Sequence, residues 1–274
     1  MIYLTTALAC EAKPLVDFYR LKKETASNAF PCYRSEEMGL VVSGMGRIAM
    51  AAATAYLGAY YRANAGISIW LNVGVAGHST LEPGSAVLVD KVTEHGTTKH
   101  WYPLFVKMPA LPSCSLTTVD TPEKTYVMQT LYDMEGSAFI ETAARFTHFE
   151  FVHLYKVVSD NADSGIAHIN KQFVSQVIEN KTEEIDQLIQ ALKKQREQVV
   201  DVYPDHLDYE RLLKQASFSF SQQQQLKRLL QRFYSLNNAE KLENIINMDV
   251  DSSKCFLQEL TRLVERLALE SDGR

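Results

Sequence analysis

Four short blocks hold the polar groups from which a reactive site could be assembled. Ser43-Gly44-Met45-Gly46-Arg47 precedes an alanine-rich stretch, and Asn72-Val73-Gly74-Val75-Ala76-Gly77 closes the next apolar run. Glycine loops at strand ends let a ligand touch the backbone, and a following helix N-terminus offers it N–H groups. Asp133-Met134-Glu135-Gly136-Ser137-Ala138 brings two carboxylates to the start of a helix, and Lys156-Val157-Val158-Ser159-Asp160-Asn161-Ala162-Asp163 puts polar residues at the carboxyl end of a buried strand. Carboxylates in such places serve proton transfer and cation stabilisation. They serve equally as dipole partners, turns and caps. Each block taken alone leaves both readings open. The glycine spacing matches neither GxGxxG nor GxxxxGK[ST], so neither a dinucleotide fingerprint nor a P-loop is signalled.

The elements that must carry these blocks are legible from glycine and from apolar periodicity. Ten of the 12 glycines fall between Gly39 and Gly136, and none lies between residues 166 and 272. The first part therefore contains the tight turns that glycine makes without strain. Strands are predicted at residues 2–9, 67–73, 86–92, 114–119 and 152–158, with residues 40–43 ending another, and helices at 48–60 and 136–146. Strands alternating with helices indicate an α/β domain on a largely parallel sheet, whose ligands bind at the carboxyl ends of the strands.

Beyond about residue 170 the period becomes helical. Ile185, Leu188, Ile189 and Leu192 share one face. A polar stretch at 193–198 and Pro204 follow. Further helical patterns include Leu212 and Leu213, residues 226–233 and residues 256–267. The chain is thus expected to divide into an α/β domain, residues 1–196, and a helical C-terminal extension, residues 197–274. The helices of the extension should pack through Leu212, Leu229, Leu230 and Leu260.

Composition excludes several classes of function. The net charge of −5 argues against a nucleic-acid binder, which needs Lys and Arg to neutralise phosphates. No apolar run reaches the roughly 20 residues that cross a bilayer. The apolar start lacks preceding basic residues and meets Glu11 and Lys13 at once, so it reads as a buried strand rather than an export signal. Cys10, Cys32, Cys114 and Cys255 form no CxxC pair, which suits free thiols in the cytoplasm and gives no metal site. His95 and His100 lack the HExxH spacing, while the neighbouring Trp101 and Tyr102 offer rings able to stack on a planar ligand.

In order along residues 1–195, Ala9-Cys10-Glu11-Ala12, Ser43-Gly44-Met45-Gly46, Gly74-Val75-Ala76-Gly77, Asp133-Met134-Glu135-Gly136 and Ser159-Asp160-Asn161-Ala162-Asp163 resemble the nucleoside phosphorylase and nucleosidase family. The resemblance is to the methylthioadenosine/S-adenosylhomocysteine nucleosidases in particular. It implies a three-layer, phosphorylase/hydrolase-like α/β sandwich with a central mostly parallel mixed sheet, to which the C-terminal helical extension is added. It also implies cleavage of the N-glycosidic bond of a purine nucleoside, without cofactor or metal, in a homodimer or higher homo-oligomer. On this reading Asp160 is the acid at the departing base, and Ser159 orients it. Glu135 binds the ribose hydroxyls and favours the oxocarbenium-like cation, Met134 lines the sugar face, and Glu11 activates water. Gly44, Val75, Ala76, Gly77 and Val119 complete the substrate-binding surface.

The family divides by nucleophile. Ala49 stands at or near the place where phosphorylases hold phosphate with a serine, and Glu11 stands where they carry an arginine. Both departures favour water, since a carboxylate repels a phosphate dianion. Arg47 and Lys99 are cations that could draw an anion. Lys156 replaces an arginine of the close relatives and loses its bidentate fork, and Val75 replaces a serine common in the nucleosidases. The expected reaction is hydrolysis, with phosphorolysis as the alternative and a non-catalytic nucleoside sensor as a second one.

Overall fold

Nine consecutive residues of one strand, Val152–Asp160, are all buried, and so are eight of the nine in Ile69–Gly77. Runs of this kind, without polar alternation, belong to strands covered on both faces. The computed structural model describes residues 1–26, 29–61, 67–103, 111–164, 169–200, 206–235 and 252–271. Its strands are β1 (Ile2–Thr6), β2 (Lys22–Lys23), β3 (Cys32–Arg34), β4 (Met38–Val42), β5 (Ile69–Gly77), β6 (Ala86–Glu94), β7 (His100–Trp101), β8 (Ser113–Thr118), β9 (Leu131–Asp133) and β10 (Val152–Asp160). Its helices are α1 (Ala9–Phe18), α2 (Arg47–Tyr60), α3 (Gly136–Ala143), α4 (Lys171–Glu179), α5 (Thr182–Val200), α6 (His206–Gln215), α7 (Phe220–Ser235) and α8 (Ser253–Ser271).

The sheet is mixed. β1 runs parallel to both β4 and β5, and β5 runs parallel to β10. β10 also pairs antiparallel with β6, which continues through β8 and β9 back to β5 at the single pair Gly77↔Tyr132. Five strands thereby close on themselves. The closure brings the ends of β8 and β9 to the carboxyl ends of β1, β5 and β10. Helices α2 and α3 pack together on one face, and α1 and α4 on the other, giving three layers. This is the α/β sandwich expected.

The first strand is shorter than its apolar run suggests. β1 stops at Thr6, and Ala9 already lies in α1. The cause is Glu11, third residue of α1, whose Oε2 accepts the N–H groups of Ala7 and Leu8 at 2.9 and 2.8 Å. A glutamate reaching back in this way satisfies donors that a helix start otherwise leaves open.

The chain divides into two compact units, Met1–Lys193 and Lys194–Arg274. Within the second, α6, α7 and α8 bury a core of their own that includes Leu212, Leu226, Leu230, Phe233, Phe256, Leu260 and Val264, with Leu229 partly buried against it. Pro204 lies outside the described residues. Among the described residues no helix is long and apolar enough to cross a membrane.

Candidate active site

The strand ends meet at one cavity. Of the candidates expected from the sequence, Glu11, Val75, Ala76, Gly77, Val119, Met134, Glu135, Ser159 and Asp160 all line it. Gly44 does not, and its neighbour Met45 takes that place. The role of Gly44 is conformational. Its φ of 85°, like the 94° of Gly46, lies in the left-handed region that side chains avoid, and this turns the chain from β4 into α2.

Each carboxylate is held by its own set of donors. Glu11, 2% exposed, receives Ala7 and Leu8 on one oxygen and the N–H of Val75 on the other, at 3.0 Å. Burial pushes its pKa up despite those N–H groups and the charge of Lys156, which pull it down. A carboxylate tuned upward in this way is a better proton acceptor near neutrality than an ordinary glutamate. Glu135 precedes α3 and accepts the N–H of Gly46 at 2.6 Å, tying the block at the start of α3 to the glycine loop. Burial, then the charge of Asp133, raise it to about 7.

Asp160 ends β10 and is buried. The hydroxyl of Ser159 donates to its Oδ1 and that of Tyr126 to its Oδ2. Asp133 accepts from the Thr118 hydroxyl at 2.8 Å and the Gly136 N–H at 2.9 Å, and pairs with the Lys156 ammonium at 2.8 Å.

Tyr126 and Tyr132 are among the wall residues not expected from the sequence. Tyr126 lies between β8 and β9 in a segment without periodicity, so no local signal marks it. Tyr132 packs edge-on against it, with ring centroids 5.8 Å apart. Asp133 belongs to one of the polar blocks, but its pairing with Lys156 is visible only in three dimensions. Trp101 and Tyr102 do not reach the cavity. Trp101 pairs with Val92 across β6 and β7, and Tyr102 is exposed beside Lys91. The two loose cations are also accounted for: Arg47 pairs with Glu94 and Asp120, and Lys99 with Glu141.

The cavity's electrostatic character follows from its lining. Among the described residues it presents the carboxylates of Glu11, Glu123, Asp133, Glu135 and Asp160, with no arginine or lysine. Such a wall favours a developing cation and opposes an incoming anion.

No family model and no curated protein sequence matches the chain. Solved structures do match in fold. A Chlamydia trachomatis protein described as an MTAN, carrying an aspartate-to-asparagine change, is 22% identical with a TM-score of 0.53, covering 67% of this chain and 96% of that one. The 5′-methylthioadenosine nucleosidase of Arabidopsis thaliana is 17% identical with a TM-score of 0.56, over 70% and 95%. A Helicobacter pylori nucleosidase carrying an aspartate-to-asparagine change, with 5′-methylthioadenosine in its active site, is 12% identical with a TM-score of 0.58, over 69% and 97%. The chain has the fold of these nucleosidases and carries residues beyond it.

Proposed function

We propose that this protein hydrolyses the N-glycosidic bond of a purine nucleoside of the 5′-methylthioadenosine or S-adenosylhomocysteine type, releasing the free base. The observation that carries the reading is the cavity lined by carboxylates, with Glu11 and Asp160 both on its wall and no lining cation among the described residues. Breaking the bond builds positive charge on the ribosyl carbon and negative charge on the base. Glu135 serves the ribose hydroxyls and the cation, Asp160 passes a proton or hydrogen bond to the base, and Glu11 takes a proton from the attacking water. Phosphate is disfavoured in the same space, because its dianion would meet Glu11 with no lysine or arginine among the described residues of the wall to hold it. The fold shared with solved nucleosidases, one of them holding 5′-methylthioadenosine, supports the substrate class. We further propose a homodimer or higher homo-oligomer acting in the cytoplasm. Met45, 68% exposed though it also lines the cavity, and Ile48, 88% exposed, form an apolar surface that a second copy would cover.

The deciding experiment measures free base from 5′-methylthioadenosine in buffer with and without phosphate. Release without phosphate is expected, and Glu11→Gln should nearly abolish it while nucleoside binding survives, because the amide keeps the shape but cannot take the proton. Release that needs phosphate and yields a ribose 1-phosphate would overturn the hydrolytic reading.

A further inference from the structure

Lys156 lies behind the cavity wall, fully buried in the middle of β10, and does not line the cavity. Three carboxylates bear on it from other parts of the chain: Asp133 at the end of β9, Glu135 ahead of α3, and Glu11 on α1. The strands that flank β10 add no charge at this level, since Lys156 pairs with Gly74 of β5 and Val87 of β6. Asp133 takes the cation directly, at 2.8 Å, while the Thr118 hydroxyl and the Gly136 N–H occupy its oxygens as well. Asp133 and Lys156 thus form a charge-assisted hydrogen-bonded pair inside the protein.

Glu11 and Glu135 then share what remains of the cation's field. Gly74 is the window through which Glu11 reaches it. A Cβ at Gly74 would stand 3.0 Å from Glu11 Oε1 and 3.6 Å from Lys156 Nζ, so both groups converge on one point of the β5 backbone. One ammonium facing three buried carboxylates neutralises one of them. The other two retain their negative charge only against burial and each other's repulsion.

We propose that Lys156 is a positioning residue that, with Asp133, sets how many protons the Glu11–Glu135 pair holds and so the pH below which Glu11 can no longer accept a proton from water. The inference rests on the reading of Glu11 as the base. The electrostatics agree with the geometry. Burial raises both glutamates and Lys156 opposes that rise in each. Burial alone would lower the pKa of Lys156, but Asp133, Glu135 and Glu11 outweigh it and hold the ammonium charged.

The test follows the two glutamates directly, by NMR titration of 13C-labelled side-chain carboxyls, with Glu11→Gln and Glu135→Gln assigning the signals. Lys156→Met removes the cation and should move both titrations up by about one pH unit or more. Asp133→Asn frees the same cation from its partner and should move them down. The double variant should return them toward the starting values, and Lys156→Arg should leave them near those values. In active variants the acid limb of kcat/KM for 5′-methylthioadenosine should shift in the same order. Titrations that move in one direction for both single variants, or move in neither, would overturn the proposal, because a purely structural role predicts no opposite signs. Should Lys156→Met fail to fold, Asp133→Asn alone decides: a downward shift upholds the proposal and its absence overturns it. Ordered shifts in a protein that releases no base would uphold the charge relation and refute the hydrolase reading. Base release with unordered titrations would do the reverse.

Discussion

The hydroxyl of Tyr126 donates a hydrogen bond to the Asp160 carboxylate, while its ring lies against Gly77 so closely that a Cβ there would stand 2.7 Å from it. The phenol thus occupies an oxygen of Asp160 that a departing base would need, in the wall of the same cavity.

Base and phenol should therefore compete. Tyr126→Phe removes the donor and keeps the ring. A hydrogen bond contributes about 0.5–1.5 kcal/mol net, part of which the incoming base no longer has to displace. KM for the nucleoside should fall by about 5–10-fold, with kcat changed much less, as measured by steady-state kinetics. A rise in KM would show that the hydroxyl assists binding instead.

Asp160→Asn tests the acid itself. Turnover should drop at least ~100-fold, the scale of a positioned proton donor. Nucleoside affinity by calorimetry should stay within a few-fold, because the amide preserves size and much of the hydrogen bonding. Unchanged turnover would remove Asp160 from the mechanism.

His153 makes stability depend on pH. It is fully buried in β10, its Nε2 lies 2.8 Å from the Glu150 carbonyl, and its Nδ1 has no hydrogen-bond partner among the described residues. Burial lowers its pKa from 6.5 to about 4. Below pH 6.5 the unfolded chain binds a proton that the folded chain refuses until about pH 4, so stability falls as pH drops through that window. The loss amounts to roughly 3 kcal/mol at the acid end. His153→Gln, which can still donate to Glu150, should flatten this part of the pH–Tm curve. An unchanged slope between pH 6.5 and 4 would count against it.

Leu260 tests the second unit. It is wholly buried among side chains of α6, α7 and α8. Leu260→Ala should destabilise that unit by about 2–5 kcal/mol, read by urea unfolding followed by circular dichroism. A midpoint that does not move would mean these helices do not rest on that core.

Much of this molecule is written locally. The largely apolar runs of β5 and β10, interrupted by Asn72, His153 and Lys156 but without regular polar alternation, announce strands buried on both faces, because no alternation leaves a face for water. The helical spacing of Ile185, Leu188, Ile189 and Leu192, and of the leucines beyond residue 210, announces helices in the same way. The glycine loop at Gly44 and Gly46 and the blocks around Glu135 and Asp160 name the polar groups that line or frame the cavity. Other features depend on partners distant in sequence, and local patterns do not encode them. The carboxylate of Glu11 ends β1 early because it turns back on Ala7 and Leu8 and across to Val75, 64 residues away. Tyr126 reaches Asp160 only because β5, β9 and β10 meet where the sheet closes. The ammonium of Lys156 finds Asp133 through that same closure. Periodicity reports which face of an element is buried; which charges then confront one another is decided by how the elements close, and that is a property of the tertiary structure.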